Sequence, residues 1–378
     1  MKGISIWIIA FSAIAFVGPA SAQPPKDSRG SAADPAAQGT PLTAQVPQPA
    51  PPSSAKVIIG RWLDLQNATL NLRYRFVDTS GGTITTNQLQ HRESLRARVK
   101  FDKAGRYALN LGMFTGVRFT SGWDNTGWGI NSAQKNLAFK ALYGAAQPFR
   151  GVELQVGGLY IVKGQSTEFT TYDEDGYVTG ERLTLRRPQH LFFDEISVTS
   201  AYFVGGTGSA NIPVSKRLPH FSDQNYQHYL LSKTLGKRAA VSADYTTELG
   251  RRTWRQAVNV KVPESRVLDS VILEFYQRTN ATPARGFAVT VDKAVTRKLR
   301  LNGGYARIDP QYGPLNADRF NIGKRAFVMA TYNFSPEFLA SFFITTAVGR
   351  NGVLPQRTLS NTVVTYNVLP ALRRTGLF

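Results

Sequence analysis

The feature that most constrains this chain is a regular alternation of apolar and polar residues in many short segments. In residues 68–76 the even positions are alanine, leucine, tyrosine and phenylalanine, and the odd positions are threonine, asparagine and arginine. A β-strand directs successive side chains to opposite faces, so one face of such a segment suits hydrocarbon and the other suits water. The repeated pattern predicts an all-β fold, a transmembrane antiparallel β-barrel with a wet interior.

Sixteen segments follow this pattern, an even number such as single-chain bacterial barrels require. A count of fourteen stays open because the segments 176–187 and 359–369 are the weakest, and loss of either with a neighbour would remove two strands. A count of eighteen is a further alternative. The predicted strands are 66–77, 85–101, 105–119, 134–146, 150–163, 176–187, 191–205, 223–234, 238–248, 253–262, 267–278, 285–295, 298–308, 323–334, 338–349 and 359–369.

The connections between these strands are alternately short and long. Tight turns such as 102–104 and 335–337 alternate mostly with longer polar loops, which are 120–133, 164–175, 206–222, 309–322 and 350–358. Outer-membrane barrels have short periplasmic turns and longer extracellular loops, so the alternation places both termini in the periplasm. A water-soluble β-sandwich does not predict this regularity.

The N-terminal part of the chain has a different composition. Residues 1–22 have a lysine, an apolar core and the small residues Ala20-Ser21-Ala22, the pattern of a cleavable signal peptide. Residues 23–56 are rich in proline and alanine, which predicts a disordered periplasmic linker. The barrel is expected to occupy residues 57–378.

Composition excludes several classes of function. The chain has no cysteine, so disulfides, thiol catalysis and thiolate metal sites are absent. Its four histidines are scattered and form no metal-binding pattern, and no nucleotide motif is present, so we expect no metal and no cofactor. A formal net charge of +20 is typical of proteins that bind nucleic acid. However, the basic residues stand mostly singly and form no basic helix, so no nucleic acid is expected as partner.

The alternation also predicts which residues face lipid. Aromatic residues recur toward the strand ends, as the girdles at the two membrane interfaces require. The predicted lipid face includes Leu95, Ala97, Val99, Phe101, Tyr107, Leu109, Leu111, Met113, Leu137, Phe139, Ala141, Tyr143, Val152, Leu154, Val156 and Tyr160.

Basic residues dominate the opposite, inward face. Inward acids are fewer, namely Glu153, Glu195, Asp244, Glu274 and Asp292. Rings or ladders of arginine and lysine in a pore favour anions. The alternative is that these bases only pair with lumen acids and water. The predicted pore-lining bases are Arg73, Arg75, Arg92, Arg96, Arg98, Lys100, Arg118, Lys140, Arg182 and Arg186.

Taken together, the signal peptide, the amphipathic strands, the turn pattern and the terminal Phe378 resemble the outer-membrane porins of Gram-negative bacteria, over residues 57–378. The resemblance is architectural and rests on no subfamily motif. It implies an outer-membrane location, insertion by the barrel-assembly machinery and homotrimers. One departure is that Pro370 and residues 372–376 separate the last predicted strand from Phe378.

The third external loop carries the acidic residues Asp173, Glu174 and Asp175. Many porins fold this loop inward against a basic wall, so the resemblance implies that these acids form a constriction. An exposed acidic turn is an equal alternative. A calcium loop is a weaker one, because Thr171 and Arg182 stand where acids should begin and end it.

The function expected from these features is passive diffusion of small anionic or neutral hydrophilic solutes through the outer membrane, without enzymatic activity. Because residues 23–56 are not expected to fold, no plug domain is expected before the barrel. An adhesin or scaffold barrel, with 206–222 and 309–322 as its binding loops, is the structural alternative. A lipid hydrolase is the enzyme alternative, but it has only His228 near Ser232 or His91 near Ser94 to support it, with no G-x-S-x-G motif.

Overall fold

A computed structural model describes nine ranges of the chain, and the statements below concern these. They are residues 60–79, 83–116, 122–167, 176–186, 192–204, 213–280, 284–309, 323–348 and 357–375. The predicted signal peptide, the predicted linker, Arg118, the acids Asp173, Glu174 and Asp175, and Phe378 lie outside these ranges.

The described residues form strands, a helical turn at residues 60–62, two short α-helices and one 3₁₀ helix at Leu218–His220. The helices are α1 (Val214–Arg217) and α2 (Val368–Arg374). The strands are β1 (Leu63–Thr79), β2 (Thr83–Lys100), β3 (Tyr107–Thr115), β4 (Asp124–Gly129), β5 (Leu137–Phe149), β6 (Val152–Tyr160), β7 (Tyr177–Arg186), β8 (Glu195–Tyr202), β9 (Tyr226–Leu235), β10 (Ala239–Glu248), β11 (Arg251–Lys261), β12 (Ser270–Arg278), β13 (Arg285–Ala294), β14 (Leu299–Ile308), β15 (Gly323–Asn333), β16 (Phe338–Ala347) and β17 (Arg357–Asn367).

Sixteen of these strands close into one antiparallel barrel. Each pairs with its neighbour in the chain, β3 pairs directly with β5, and the first strand pairs with the last through Thr69 opposite Asn367 to Thr79 opposite Arg357. Strand β4 pairs only with β2 and stands outside the ring. The predicted fold class and count of sixteen are therefore confirmed. Every predicted segment contains a barrel strand, with boundaries that differ by four residues at most.

The two faces of the strands follow the predicted alternation. On β1, Leu70 and Leu72 are 49% and 45% exposed on the outside, whereas the intervening Asn71 is buried on the inside. Exposed apolar side chains on the outer face are unfavourable in water but are stable in hydrocarbon. The closed ring also leaves no unpaired strand edge, which lipid could not hydrogen-bond. No described helix is long and apolar enough to cross a membrane.

A β-bulge overturns two of the predicted lipid-facing positions. Gly112 lies opposite Ala141 but Met113 lies opposite Phe139, so β5 carries an extra residue there. An extra residue shifts the side-chain parity beyond it. The prediction was therefore wrong for Ala141 and Tyr143, which face inward: Ala141 is fully buried, and Tyr143 pairs in register with the inward Asn110.

A glycine overturns a third position. Gly157 has φ +131°, and a Cβ on it would lie 2.4 Å from the carbonyl oxygen of Leu142. Beyond this residue the regular alternation of β6 is broken. Tyr160, predicted to face lipid, instead packs edge-on against the inward ring of Phe114, with 6.4 Å between ring centroids.

Five elements were not predicted from the sequence: the helical turn at residues 60–62, β4 within the loop 120–133, α1 and the 3₁₀ helix within the loop 206–222, and α2 after the last strand. The side chain of Asn367 caps α2 by accepting a hydrogen bond from the backbone N–H of Leu369 at 3.1 Å. Pro370 stands in the first turn of this helix, where a missing N–H is tolerated. The departure from a plain terminal strand is thus a capped helix.

Candidate functional site: the barrel lumen

Five arginines on β1 and β2, which we call the arginine ladder, occupy the lumen face: Arg73, Arg75, Arg92, Arg96 and Arg98. In the upper part of the ladder, Arg73 donates from Nε and Nη2 to the amide oxygen of Gln90, at 2.9 and 2.6 Å. Its guanidinium also lies 4.1 Å from the ring centroid of Trp123. Trp123 precedes β4, so this unpredicted strand brings an aromatic ring onto the ladder.

Further down, aromatic rings from two other strands contact the ladder. Arg92 and Arg96 lie 6.0 and 5.2 Å from the ring centroid of Phe114, and Arg96 lies 4.9 Å from that of Tyr160. Contacts of this kind are attractive because the ring face is electron-rich. They hold the guanidinium planes in place without removing their charge.

At the lower end, the ladder reaches the rim of the barrel on which the turn between β2 and β3 lies. Arg98 donates to the carbonyl oxygen of Gly105, in the turn between β2 and β3, at 2.5 Å. Lys100 donates to the carbonyl oxygen of Gly60 at 3.4 Å. Arg75, at the other end, is almost fully buried.

The predicted bases on the neighbouring strands have two kinds of partner. Lys140 donates to the carbonyl oxygen of Thr115, and Arg182 donates to Thr199, Gln155 and the carbonyl oxygen of Tyr160, all of which are uncharged. Arg186 instead forms ion pairs with Glu153 at 2.6 Å and Glu195 at 3.3 Å.

The upper ends of β6 and β7, residues 157–161 and 176–180, form what we call the inward hairpin. It is buried on both faces, whereas a wall strand shows an exposed outer face. One face carries Tyr160 and Tyr177, which pack against Phe114. The other carries Leu159 and Val178, which join an apolar cluster with residues of β9, β12 and β13 to β17. The hairpin therefore lies within the lumen.

The loop that joins the two arms of the inward hairpin crosses to a wall four to six strands further round the ring. The backbone N–H of Gln165 donates to Ser242 on β10 at 2.9 Å. The backbone N–H of Thr167 donates to the carboxylate of Glu274 on β12 at 2.8 Å. This part of the third external loop thus spans the lumen. The acids Asp173, Glu174 and Asp175, further along the loop, lie outside the described residues, and so does Arg118.

Helix α1, which lies within the predicted external loop 206–222, also enters the lumen. In α1, Val214 lies over Gly158 of the inward hairpin, where a Cβ would be 2.4 Å from its side chain. Arg217 is almost fully buried and donates to Thr179 and to the carbonyl oxygen of Lys140. Helix α1 therefore fastens the hairpin to β5.

The serine–histidine pairs considered for a hydrolase are not assembled. His91 contacts Glu93 on the outer face, whereas Ser94 bonds to Thr69 on the inner face. His228 lies 3.5 Å from Asp244, four residues along the strand from Ser232. Among the described residues, no group of three metal-binding side chains comes together.

The residues that the sequence interpretation missed are Trp123, Arg217 and Arg325, a buried arginine on β15. Val328 and Tyr332 on β15 face outward, and Arg325 lies an odd number of residues from each of them. Strand alternation could therefore have placed Arg325 on the lumen face. Trp123 and Arg217 lie in loops, where alternation carries no signal.

Comparison with known proteins identifies the fold. No family model and no curated protein matches the chain. Among solved structures, a triple-substitution variant of the porin of Rh. blastica matches with a TM-score of 0.53 at 12% identity, covering 81% of this chain and 99% of that chain. Salmonella typhi OmpF, in complex with daunomycin, matches with a TM-score of 0.52 at 13% identity, covering 81% and 97%. The predicted architectural resemblance to porins is confirmed at the level of the fold.

Proposed function

We propose that this chain is a passive diffusion channel of the bacterial outer membrane for small hydrophilic solutes, with a preference for anions. The observation that carries the proposal is a closed sixteen-strand barrel whose lumen holds the arginine ladder beside an inward hairpin. Barrels of this size leave room for an aqueous channel. The likeness to porins extends the proposal to a homotrimer with periplasmic termini, inserted by the barrel-assembly machinery.

Anion preference is proposed from the balance of charge on the lumen face. Arg186 is offset by Glu153 and Glu195, but Arg182 has only uncharged partners. Positive charges in a narrow aqueous pore with low-dielectric walls raise the local concentration of anions. The ladder places several such charges on two adjacent strands.

We also propose that Asp173, Glu174 and Asp175 face the arginine ladder across the constriction. Support comes from residues 163–167, which lead into this acidic segment and already run through the lumen. Acids and bases on opposite sides of a constriction would create a transverse field, in which the excess of bases sets the preferred ion.

Planar-bilayer recording of the refolded mature chain tests this function. Reversal potentials under a salt gradient should show anion preference, and changing Arg73, Arg75, Arg96 and Arg98 to glutamate should shift it toward cations. The same change at Arg251 and Arg252, which lie at the external turn between β10 and β11, is the matched control and should have little effect. Glutamine at the four ladder positions removes the positive charge without adding negative charge. The ion preference of this variant should lie between those of the wild type and the glutamate variant.

Two outcomes would contradict the proposal. Cation preference in the unmodified channel would show that the acidic third loop, rather than the ladder, controls the constriction. Absence of stepwise conductance from a barrel that is folded by circular dichroism would remove the channel function and favour the adhesin alternative.

A further inference from the structure

A buried guanidinium without a hydrogen-bond partner on two of its nitrogens lies in the lumen wall. Arg325 on β15 is 2% exposed, and its Nε and Nη2 atoms are buried with no acceptor in range. In the part of the chain that the structure describes, no acidic side chain forms an ion pair with it. Strands β16 and β17 separate it from β1, so it stands apart from the arginine ladder.

Other buried arginines of the lumen show what Arg325 lacks. Arg255 contacts the carboxylate of Asp244 at 2.6 Å, Arg182 has three uncharged acceptors, and Arg217 has a hydroxyl and a carbonyl oxygen. Taking a charge out of water without such partners is unfavourable. A buried cation that the fold leaves unsatisfied is therefore a candidate for completion by a ligand.

The surroundings of Arg325 are apolar and small. Its partners in register are Ala306 on β14 and Ala347 on β16. Two residues along the same face, Phe327 lies over Gly304, where a Cβ would be 2.5 Å from its ring. The rings of Phe327 and Phe343 lie 6.0 Å apart, tilted by 34°. Phe327 is thus the next inward residue after Arg325 on β15, and it contacts Phe343; both rings are largely buried in the apolar cluster of the lumen.

We propose that Arg325 binds the carboxylate of a small organic anion whose apolar body packs against Phe327 and Phe343. Nε and Nη2 form one edge of the guanidinium, and this edge matches the two oxygens of a carboxylate. Inorganic phosphate carries more charge and needs more donors than this wall presents, whereas the rings offer contact to a hydrocarbon body. The inference rests on the proposed channel function only for the route by which the anion arrives.

Equilibrium binding to the full mature chain, refolded in a non-ionic detergent, tests this assignment. Isothermal titration with sodium benzoate should show binding to the wild type that weakens by about tenfold or more in Arg325→Met, because the charge-assisted fork is lost. Arg307→Met is the matched control, since Arg307 is exposed on the outer face of the adjacent strand. This control should bind benzoate as the wild type does.

Two neutral or inorganic probes identify what is recognised. Benzyl alcohol, which lacks the carboxylate, and inorganic phosphate, which lacks the apolar body, should both bind much more weakly than benzoate. Equal binding of benzyl alcohol and benzoate would overturn the role of Arg325, and equal binding of phosphate would overturn the organic class of ligand. Unchanged benzoate binding by Arg325→Met would place the site elsewhere and overturn the proposal.

Stability provides an independent readout. Without benzoate, Arg325→Met should unfold at a temperature equal to or above that of the wild type, because a buried unsatisfied charge has been removed. If this variant does not fold, Arg325→Lys keeps the charge but loses the fork, and its benzoate affinity should fall by about threefold to tenfold. Because the titration needs no conductance, a barrel that binds benzoate but carries no current would contradict the proposed channel and leave this site intact.

Discussion

Individual residues decide where the lumen of this barrel departs from a regular wall. The alternation of apolar and polar residues placed the arginine ladder on the inner face, but it could not reveal the change of parity at the bulge of β5 or at Gly157. The change at Gly157 depends on a backbone geometry that L-residues rarely adopt. The change in β5 depends on one extra, unpaired residue. At Gly157, a positive φ and the close approach of the Leu142 carbonyl oxygen allow the hairpin to turn inward.

Replacement of this glycine tests its role in the hairpin. Gly157→Ala should destabilise the barrel by about 1–3 kcal/mol, because alanine is strained at this φ and its methyl group would meet a backbone oxygen. The inward hairpin should also become less well held, which would appear as larger open-channel noise. Gly144→Ala on the adjacent β5 is the control, since nothing lies within 4 Å of its Cβ. Equal urea stability of the two variants would show that Gly157 does not determine the bend.

At the scale of elements, carboxylates fasten the ends of neighbouring strands at the rim with the short turns. Asp194, just before β8, accepts a hydrogen bond from the backbone N–H of Thr234 and contacts Lys233. Asp269, just before β12, repeats the arrangement with the N–H of Ala294 at 2.7 Å and Lys293 at 2.8 Å. The hydrogen bond from Lys293 and that from the Ala294 N–H hold the pKa of Asp269 below its ordinary value. The repeated arrangement fixes the register at the rim, where the strands begin and end.

This pKa gives a prediction for the stability of the rim. Because the pKa is lowered by folding, the contribution of Asp269 is present above the unfolded pKa of about 3.9 and is lost as pH falls through the folded value. Asp269→Asn should therefore lower the free energy of unfolding by about 0.5–1 kcal/mol at pH 7 and leave it unchanged at about pH 2. The effect at pH 7 is small because the side chain is partly exposed. Urea unfolding in detergent at both pH values measures this. Glu264→Gln, in an exposed pair with Arg238, is the control; an equal loss in both variants would contradict a specific role.

For the whole molecule, closure of the ring and the summed charge of its lumen decide the behaviour. Selectivity that arises from the field of the lumen charges should weaken with salt, because the Debye length falls from about 10 Å at 0.1 M to about 3 Å at 1 M. The ratio of anion to cation permeability should therefore approach one as the salt concentration rises to about 1 M. Reversal potentials at a fixed concentration ratio and increasing ionic strength measure this. Undiminished preference at high salt would indicate selection by direct contact with a guanidinium instead.

The sequence by itself determined the ring and its two faces. Strand alternation has a period of two and needs only local information, so all sixteen barrel strands and the inward direction of Arg73 and Arg96 could be predicted from it. Turn and loop lengths likewise predicted how the strands connect.

Only the tertiary structure decided what fills the ring. The inward hairpin, helix α1 and the contacts of Thr167 with Glu274 join residues that are far apart in the chain, and no periodic pattern encodes them. The same holds for charge compensation: Arg186 has two acidic partners, Arg182 has uncharged ones and Arg325 has none in the described structure. Partners across a barrel are set by register and by loops that cross the lumen, because side chains meet there through space and not through sequence spacing.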